Sequence, residues 1–565
     1  MLETNGLRLD QVGRRYGVRG PWVLRDVSLE VPGGSLVRVE GANGSGKSTL
    51  LRIVAGVDSP TAGRLTGRPD AGTAYVPERF PAALPFPVLR YLTHLGAIRG
   101  LPSAAARARA LYWLERFGIT GYAGTPLDEL SKGTSQKVAV AQALLADPEL
   151  LVLDEAWTGL DTSARDVLDG VVRERVGAGA TVFYVDHDPR RLAGEASAVY
   201  AVTAGGAVRA ADVRGRERPG AAHRTGGRVV VEAAGSGEVP PAVEPFGPWR
   251  EGGGRIGVEV PAEASDGVLR ALLGAEPPWH IEAVRGGGVP RPGIRAATGP
   301  AGSVPAAKAP PVSVPAGPVP AGSVPAVDAV PGAGGPYRRL GALVRYQADL
   351  LLRSHRFLPP LIFYGAVLAI GVAGGEALLG SLGYAAALLL PVAAWLVRVC
   401  ATGEPPAARA CTASAVGPGR AHLGALLAAL GGSGLLGLVG TLVVTAISGA
   451  HTDDMRADIP IGPALLAGLM AAAVSVLLGT AVGALTNSPL LPGAGWSVLV
   501  TAVGAGAVLL TSGSPAQAAV TSLVHGSQSG AVHYPVAALA VAVCVAALAL
   551  GGSVRTVARL GTARA

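Results

Sequence analysis

The chain has 565 residues, 49% of them apolar, 16% charged, with a net charge of +8. That length calls for three or four segments rather than one ordinary domain. The positive charge is almost all arginine and is dispersed, not gathered into a patch with interleaved aromatics, which excludes a nucleic-acid partner. The three cysteines, Cys400, Cys411 and Cys544, have neither metal-ligand spacing nor a disulfide framework.

Residues 1–220 read as an ordinary α/β domain. The opening "MLETNGLRLD" is polar and has no apolar h-region, so this part is expected to stay in the cytoplasm. "SLVRVE", "ELLVLDE" and "TVFYVDH" read as buried strands of one core. "SAAARARALYWLERFGI" between them has helical periodicity, with Leu111, Leu114 and Phe117 on one face.

"GANGSGKS", Gly41 to Ser48, fits G-x-x-x-x-G-K-[ST] after a strand and before the helical "STLLRIVAG". Glycines at 41, 44 and 46, with Asn43, Ser45 and Thr49 beside them, let backbone N–H groups curl around phosphates. The helix N-terminus adds positive potential. Lys47 is expected on the β- and γ-phosphates, and the Ser48 hydroxyl on Mg²⁺. "LLVLDE" then places Asp154, a second Mg²⁺ ligand, and Glu155, positioned to polarise water, at a strand end. "YVDHD" places His187 at another strand end, where a histidine taken alone reads as structural.

Residues 221–285, with "GRVVVEA", "GRIGVEVP" and "PWHIEAV", read as a small β-rich accessory unit without visible chemistry. Residues 286–336 repeat "AGSVPA" within Pro, Ala, Gly and Val, a composition that packs no core and suits a partly extended linker. In residues 337–565, apolar runs near 357–375, 378–397, 423–447, 461–485, 490–510 and 534–554 each approach the ~20 residues that span a bilayer. Six spans are expected. With the N-terminal domain inside, the cytoplasmic segments hold Arg338, Arg339, Arg345, Arg353, Arg356, Arg398, Arg409, Arg420, Arg555, Arg559 and Arg564, and the outer loops only Arg456. That distribution obeys the positive-inside rule and expects both termini in the cytoplasm of a multi-pass cell-membrane protein. "PPAARACTASAVGPGRAH" is the expected place for a short coupling helix, and "VRYQADLLLRSHRF" for an amphipathic helix in the interface; either also reads as a plain connecting segment.

The stretch "LDELSKGTSQKVAVAQALLADPELLVLDEAWTGLD" carries a resemblance. With the phosphate loop it resembles the ATP-binding cassette (ABC) transporter family over all of residues 1–220. The family's Leu-Ser-Gly-Gly-Gln signature matches Leu130, Ser131, Lys132, Gly133 and Thr134, its D-loop Gly159-Leu160-Asp161, and its switch histidine His187. Tyr16 sits where an aromatic stacks on adenine. The resemblance implies two ATPase domains sandwiching two ATP, with Ser131 and Gly133 of one capping the γ-phosphate held by Lys47 of the other. Glu155 would then act on water and His187 would touch the γ-phosphate.

Two departures stand out: Lys132 and Thr134 in the signature, similar to the type-2 (ABC-2) exporter branch, and Glu78 at the Q-loop glutamine, a position that normally senses Mg²⁺ and the membrane part. The fold expected is an α/β P-loop ATPase with a small α+β unit, a disordered linker and an all-α six-helix membrane domain. The function expected is an ATP-driven exporter completed by a second copy of the chain. The alternatives are a subunit of a heteromeric complex and a membrane-anchored ATPase with a regulatory or mechanical role.

Overall fold

The structure, a computed structural model, describes residues 6–17, 20–69, 72–80, 84–203, 205–211, 228–235, 239–251, 254–261, 264–275, 277–286, 335–487, 491 and 493–561. Its contacts cluster into two units, residues 1–216 with 322–565, and residues 217–321. The expected linker at 286–336 lies almost wholly outside the described residues.

The first unit begins with β1 (Leu7–Arg15) and β2 (Trp22–Val31), which pair antiparallel. Then come β3 (Leu36–Glu40), α1 (Lys47–Val54), β4 (Ala62–Thr66) and β5 (Thr73–Val76). Helices α2 (Val88–Ile98), α3 (Ser103–Arg116) and α4 (Lys132–Leu144) lead to β6 (Leu150–Asp154). The last part holds α5 (Thr162–Gly177), β7 (Thr181–Val185), β8 (Ala198–Val202) and β9 (Val208–Ala211). Six strands form one sheet in the order β5-β6-β7-β3-β8-β9, parallel except for β9. "LLVLD" and "TVFYV" are buried along their whole length, as strands covered on both faces must be. β4 joins β1 and β2 in a second, antiparallel sheet.

The phosphate loop sits where β3 ends and α1 begins, the C-terminal edge of the parallel strands. Helix starts are locally encoded. The Ser131 hydroxyl accepts from the Thr134 amide at the start of α4, and the Asp161 carboxylate from Ala164 at the start of α5.

The second unit is an antiparallel sheet, order β11-β12-β10-β13, built of β10 (Arg228–Ala234), β11 (Trp249–Glu251), β12 (Arg255–Pro261) and β13 (His280–Gly286). Helix α6 (Ser265–Leu273) packs on it, with Val268 and Leu272 in its core.

The rest of the first unit is helical: α7 (Pro336–Arg353), α8 (Leu358–Gly371), α9 (Leu378–Gly403), α10 (Pro406–Val416), α11 (Pro418–Ile447), α12 (Ile461–Thr486), α13 (Ala494–Leu510), α14 (Pro515–Ser529) and α15 (Val536–Leu560). The six-span expectation needs correction. Among the described residues four helices, α9, α11, α12 and α15, are long and apolar enough to cross a membrane; α13 and α14 form a fifth only as a pair bent by 47°. The first apolar run makes a helix of 14 residues. At 1.5 Å per residue that is about 21 Å, short of a ~30 Å hydrocarbon core. Its end is local: Val372 turns extended, and Gly375, at φ 83°, donates to Ile447 O.

Inside the bundle the contacts are small residues. A Cβ on Gly479 would overlap Leu390 O, and one on Gly483 would lie 2.7 Å from Val397 Cβ. The Gly-x-x-x-Gly spacing thus lets α12 press against α9, the close approach that drives helix association in lipid. Large side chains such as Leu435, Leu442, Val443 and Leu548 face outward.

Helix α7 does not lie flat beside the bundle. Leu343 fills the space at Gly424 and Leu351 the space at Gly432, eight residues further on in both helices. It therefore runs alongside the start of α11, with its other face against α2 through Asp349 and Arg90, while Tyr346 stacks at 5.5 Å on Phe86, just ahead of α2.

Candidate nucleotide site

The loop between β3 and α1 closes through backbone that only glycine adopts easily. Gly46 at φ 109° precedes α1, and a Cβ on Gly41, at φ 146°, would strike Val202 O and Ser45 Oγ. The Lys47 ammonium donates to Gly41 O at 2.9 Å and Ala42 O at 3.1 Å, so it spans the loop's own carbonyls. Ser45 Oγ is buried and has no hydrogen-bond partner among the described residues. A cavity of about 320 Å³ opens in front, lined by Asn43, Gly44, Gly46, Lys47, Ser48, Thr49, Glu78, Glu155 and His187, with Val23 at its edge.

Strand β6 delivers the acids. Asp154 accepts from Ser48 Oγ at 3.1 Å and from the Tyr75 hydroxyl at 3.0 Å. Burial raises its pKa to about 6, and the Glu155 and Glu78 charges add to the rise, while the two hydrogen bonds oppose it. Glu155 follows at φ 51°, a left-handed backbone unusual for a non-glycine residue and costly unless its surroundings hold it. Its amide donates to Val185 O, and its Oε1 stands 2.9 Å from His187 Nε2. The carboxylate and the imidazole, from two strand ends, thus share one wall of the cavity.

Tyr16 is bonded to Thr49 through its hydroxyl at 3.2 Å and presents a partly exposed ring. Glu78 is half-exposed, with Arg79 at 3.5 Å. Ser131, Gly133 and Asp161 stand apart. Ser131 Oγ is taken up at the start of α4, Gly133 lies against Gly159 O, and Asp161 pairs with Lys137 Nζ at 2.7 Å. The Lys137 hydrogen bond and then the Ala164 amide lower the Asp161 pKa. Within one chain the signature does not line the phosphate cavity.

Three contributors escape sequence reading. Tyr75 supplies a buried hydroxyl to Asp154 from the edge strand, with no motif to mark it. Arg14 is buried, with its guanidinium 5.0 Å from the Tyr16 ring, donating to Ser59 O at 2.7 Å and to Leu560 O, at the end of α15, at 2.9 Å. Cys411 of α10 sits with its sulfur 3.7 Å from Tyr75 O. Only the distance between these residues in the chain hid them.

The residues fit a nucleotide triphosphate. An orphaned buried hydroxyl and a lysine on loop carbonyls surround a cradle that a Cβ would fill, and the oxygens of Ser48 and Asp154 form a hard donor pair. Such a cradle, on a parallel α/β sheet, defines a P-loop ATPase, here carrying apolar helices in the same chain. The sequence profile described as "ABC transporter" matches residues 24–158. The chain is 40% identical over 169 residues to the "Zinc import ATP-binding protein ZnuC" of Cereibacter sphaeroides, covering 29% of this chain and 67% of that one. It therefore belongs to the ABC transporter family and carries an ABC ATPase domain, the kind that hydrolyses ATP. It is also 38% identical over 210 residues to the "Macrolide export ATP-binding/permease protein MacB 1/2" of Paracoccus denitrificans, 34% of this chain and 31% of that one. Among solved structures it is similar to the dimeric ATP-binding cassette MJ0796 bound to ADP and Pi, with 26% identity, 37% of this chain and 99% of that one covered, and a TM-score of 0.32.

Proposed function

We propose that the chain is an ATP-driven exporter that works as a pair of copies, with its ATPase half in the cytoplasm. The observation that carries this is the joint between cavity and helices. α10, between α9 and α11, packs against β5 with Ala408, Cys411 and Ala415 in the same core as Phe86, Tyr91 and Leu151. Two residues past β5 lies Glu78, in the cavity wall. A change in the cavity thus meets the helices across two residues and the short strand β5. The MacB name joins ATP-binding and permease, as this chain joins its two halves, which supports export.

The roles follow from position. The loop amides and Lys47 hold the β- and γ-phosphates, and Tyr16 stacks on adenine. Ser48 and Asp154 would hold Mg²⁺, whose charge would offset that of the phosphates, with Glu78 beside them in the cavity wall. Glu155 orients water, and His187 steadies both Glu155 and the γ-phosphate. Ser131 and Gly133, apart from the cavity of their own chain, would cap the γ-phosphate in a second copy, and Asp161 lies beside them. Two closed domains then draw α10 with them, and release after hydrolysis lets the helices return.

The test is Mg²⁺-dependent ATP hydrolysis by the purified chain in lipid nanodiscs, beside Glu155→Gln. Activity that falls at least about 100-fold in the variant supports a competent pair of copies. A folded wild type that binds ATP without hydrolysing it sinks the homodimer and favours a heteromeric complex, a reading to which the acid at Glu78 points.

A further inference from the structure

A second cavity, about 450 Å³, opens where α2, the start of α3 and α7 meet, with Leu89, Arg90, His94, Arg107, Ala342 and Arg345 in its wall. That volume is in the range of small-ligand sites. Three guanidinium groups border it, and only one is neutralised. Arg90 holds both carboxylate oxygens of Asp349 at 2.6 and 2.9 Å, and Asp349 is further bonded by His94 at 3.0 Å and Arg353 at 3.1 Å. Arg107 and Arg345 make no hydrogen bond or ion pair among the described residues. His94 is held below its usual pKa by burial, against its bond to Asp349, so it adds no charge at neutral pH. Ser103, also in the wall, opens α3, whose first turn has no side-chain cap.

The height of this cavity is set by α7. Leu343 lies against Gly424, just after Arg420 and His422 and at the start of the apolar run of α11. Arg345 therefore stands near the start of the apolar run of α11, on the side of the ATPase half. Apolar side chains (Pro87, Leu89, Ala97, Ala123, Ala342) and the hydroxyl-bearing Thr93 make up the rest of the wall.

We propose that this cavity binds the phosphate of an anionic phospholipid headgroup, gripped by Arg107 and Arg345 beside the capped Arg90, at the cytoplasmic face of the membrane. Planar guanidinium forks suit phosphate, and basic pockets at this level of a bundle suit lipid headgroups. A soluble phosphate ester has the same chemistry, but the level of Arg345 and the apolar wall favour the lipid. The proposal rests on the cytoplasmic placement of the ATPase half. Its site ties lipid to α2 and α7, both packed on the joint with α10.

The test uses the full chain and does not depend on hydrolysis. Retention of phosphatidylglycerol and phosphatidylcholine is counted by native mass spectrometry for wild type, Arg107→Gln/Arg345→Gln and Arg555→Gln/Arg559→Gln. The last pair removes the same charge from exposed positions of α15. The expected result is a preference for phosphatidylglycerol of about tenfold in wild type and the α15 variant, lost about fivefold or more in the cavity variant. Equal retention by all three, or equal loss in both variants, overturns the site. In a second arm, calorimetry follows inorganic pyrophosphate on Lys47→Ala chains with and without the cavity substitutions. Binding there that needs Arg107 and Arg345, with no lipid preference, overturns the lipid and assigns the site to a soluble phosphate. A chain that keeps its lipid preference yet hydrolyses no ATP counts against the transport reading and leaves the cavity standing.

Discussion

Two joints fasten the helices to the ATPase half, and they are made differently. The first, at α7 and α10, is broad and largely aromatic: Phe86 stacks on Tyr346, and the buried Glu404 accepts from Tyr346 and Gln347, both at 3.0 Å, and from Thr412 at 3.4 Å. The second, at the end of α15, is narrow and polar. Arg14 reaches Leu560 O, Ser59 Oγ donates to Ala558 O at 2.7 Å, and Gly561 turns against Asp58 at φ 74°. One is written in side chains on both sides; the other reads the helix only through its main-chain carbonyls. A joint of the first kind fails when any of several residues changes. The second depends on Arg14 and Ser59 and is nearly indifferent to the sequence of α15. The first meets the strand leading to Glu78, the second the Tyr16 ring, so on the proposed reading the two would touch opposite ends of one nucleotide.

The largest effect is therefore expected at the first joint. Glu404→Ala leaves the buried Tyr346 hydroxyl and Gln347 amide without their acceptor, while the Thr412 hydroxyl keeps Arg409 O at 3.0 Å, a loss of about 3 kcal/mol. It should appear as a melting temperature several degrees lower and as hydrolysis no longer responsive to the lipid-embedded helices. Burial raises the Glu404 pKa, with Arg409 and the three hydrogen bonds opposing. The folded state then binds this proton more tightly than the unfolded one. Stability falls as pH rises from the ordinary glutamate range through the raised value, and levels off above it. Glu404→Gln, a neutral stand-in to which Gln347 can turn its amide, should keep the stability and flatten that slope in melting curves taken upward from the ordinary glutamate value of about 4.3.

Such contacts also show what sequence alone could yield. The phosphate loop, Asp154, Glu155 and His187 were legible because each sits within a few residues of a strand end, where spacing fixes geometry. The apolar runs were legible as helices, since each has the composition for one. Their lengths were not: the two glycines after "AIGVA" end α8 early, and the bend between α13 and α14 depends on packing. Arg14 with Leu560, and Tyr346 with Glu404, are partners far apart in the chain, and no local pattern pairs them. α7 carries the pattern of an interfacial amphipathic helix, yet its apolar face meets Gly424 and Gly432 of α11 and Phe86, just ahead of α2. Amphipathicity says that one face is covered, not by what.

At the second joint, Arg14→Ala removes two charge-assisted hydrogen bonds and the cation over Tyr16, about 2 kcal/mol together. Because the loss falls on the adenine side, KM for ATP should rise about tenfold while kcat changes less than threefold. Arg14→Lys, which keeps the charge without the fork, should lie between. A fall in kcat with unchanged KM would show that the joint serves the helices and not the nucleotide.

Between the joints lies Asp154. Its raised pKa, about 6, means that the ATP-free protein loses stability as pH rises from about 4 to 6, on the order of 3 kcal/mol in all, and no more above. Asp154→Asn should erase that slope in melting curves taken without nucleotide or Mg²⁺. Mg²⁺ should stabilise wild type more at pH 7 than at pH 5, where the proton competes with the cation.

The smallest effect is expected at Glu78, where the two sides of the site meet most loosely. Its charge helps to raise the Asp154 pKa, but it comes last among the causes, after burial, the hydrogen bonds from Tyr75 and Ser48, and Glu155. The side chain is half-exposed and faces Arg79, so water screens most of what it does. Glu78→Gln should therefore lower the Asp154 titration only slightly and change Mg²⁺-dependent hydrolysis by less than about threefold, a difference under 1 kcal/mol. A much larger gain would mean that the acid restrains the cavity, and that the strand between it and α10 transmits charge as well as position.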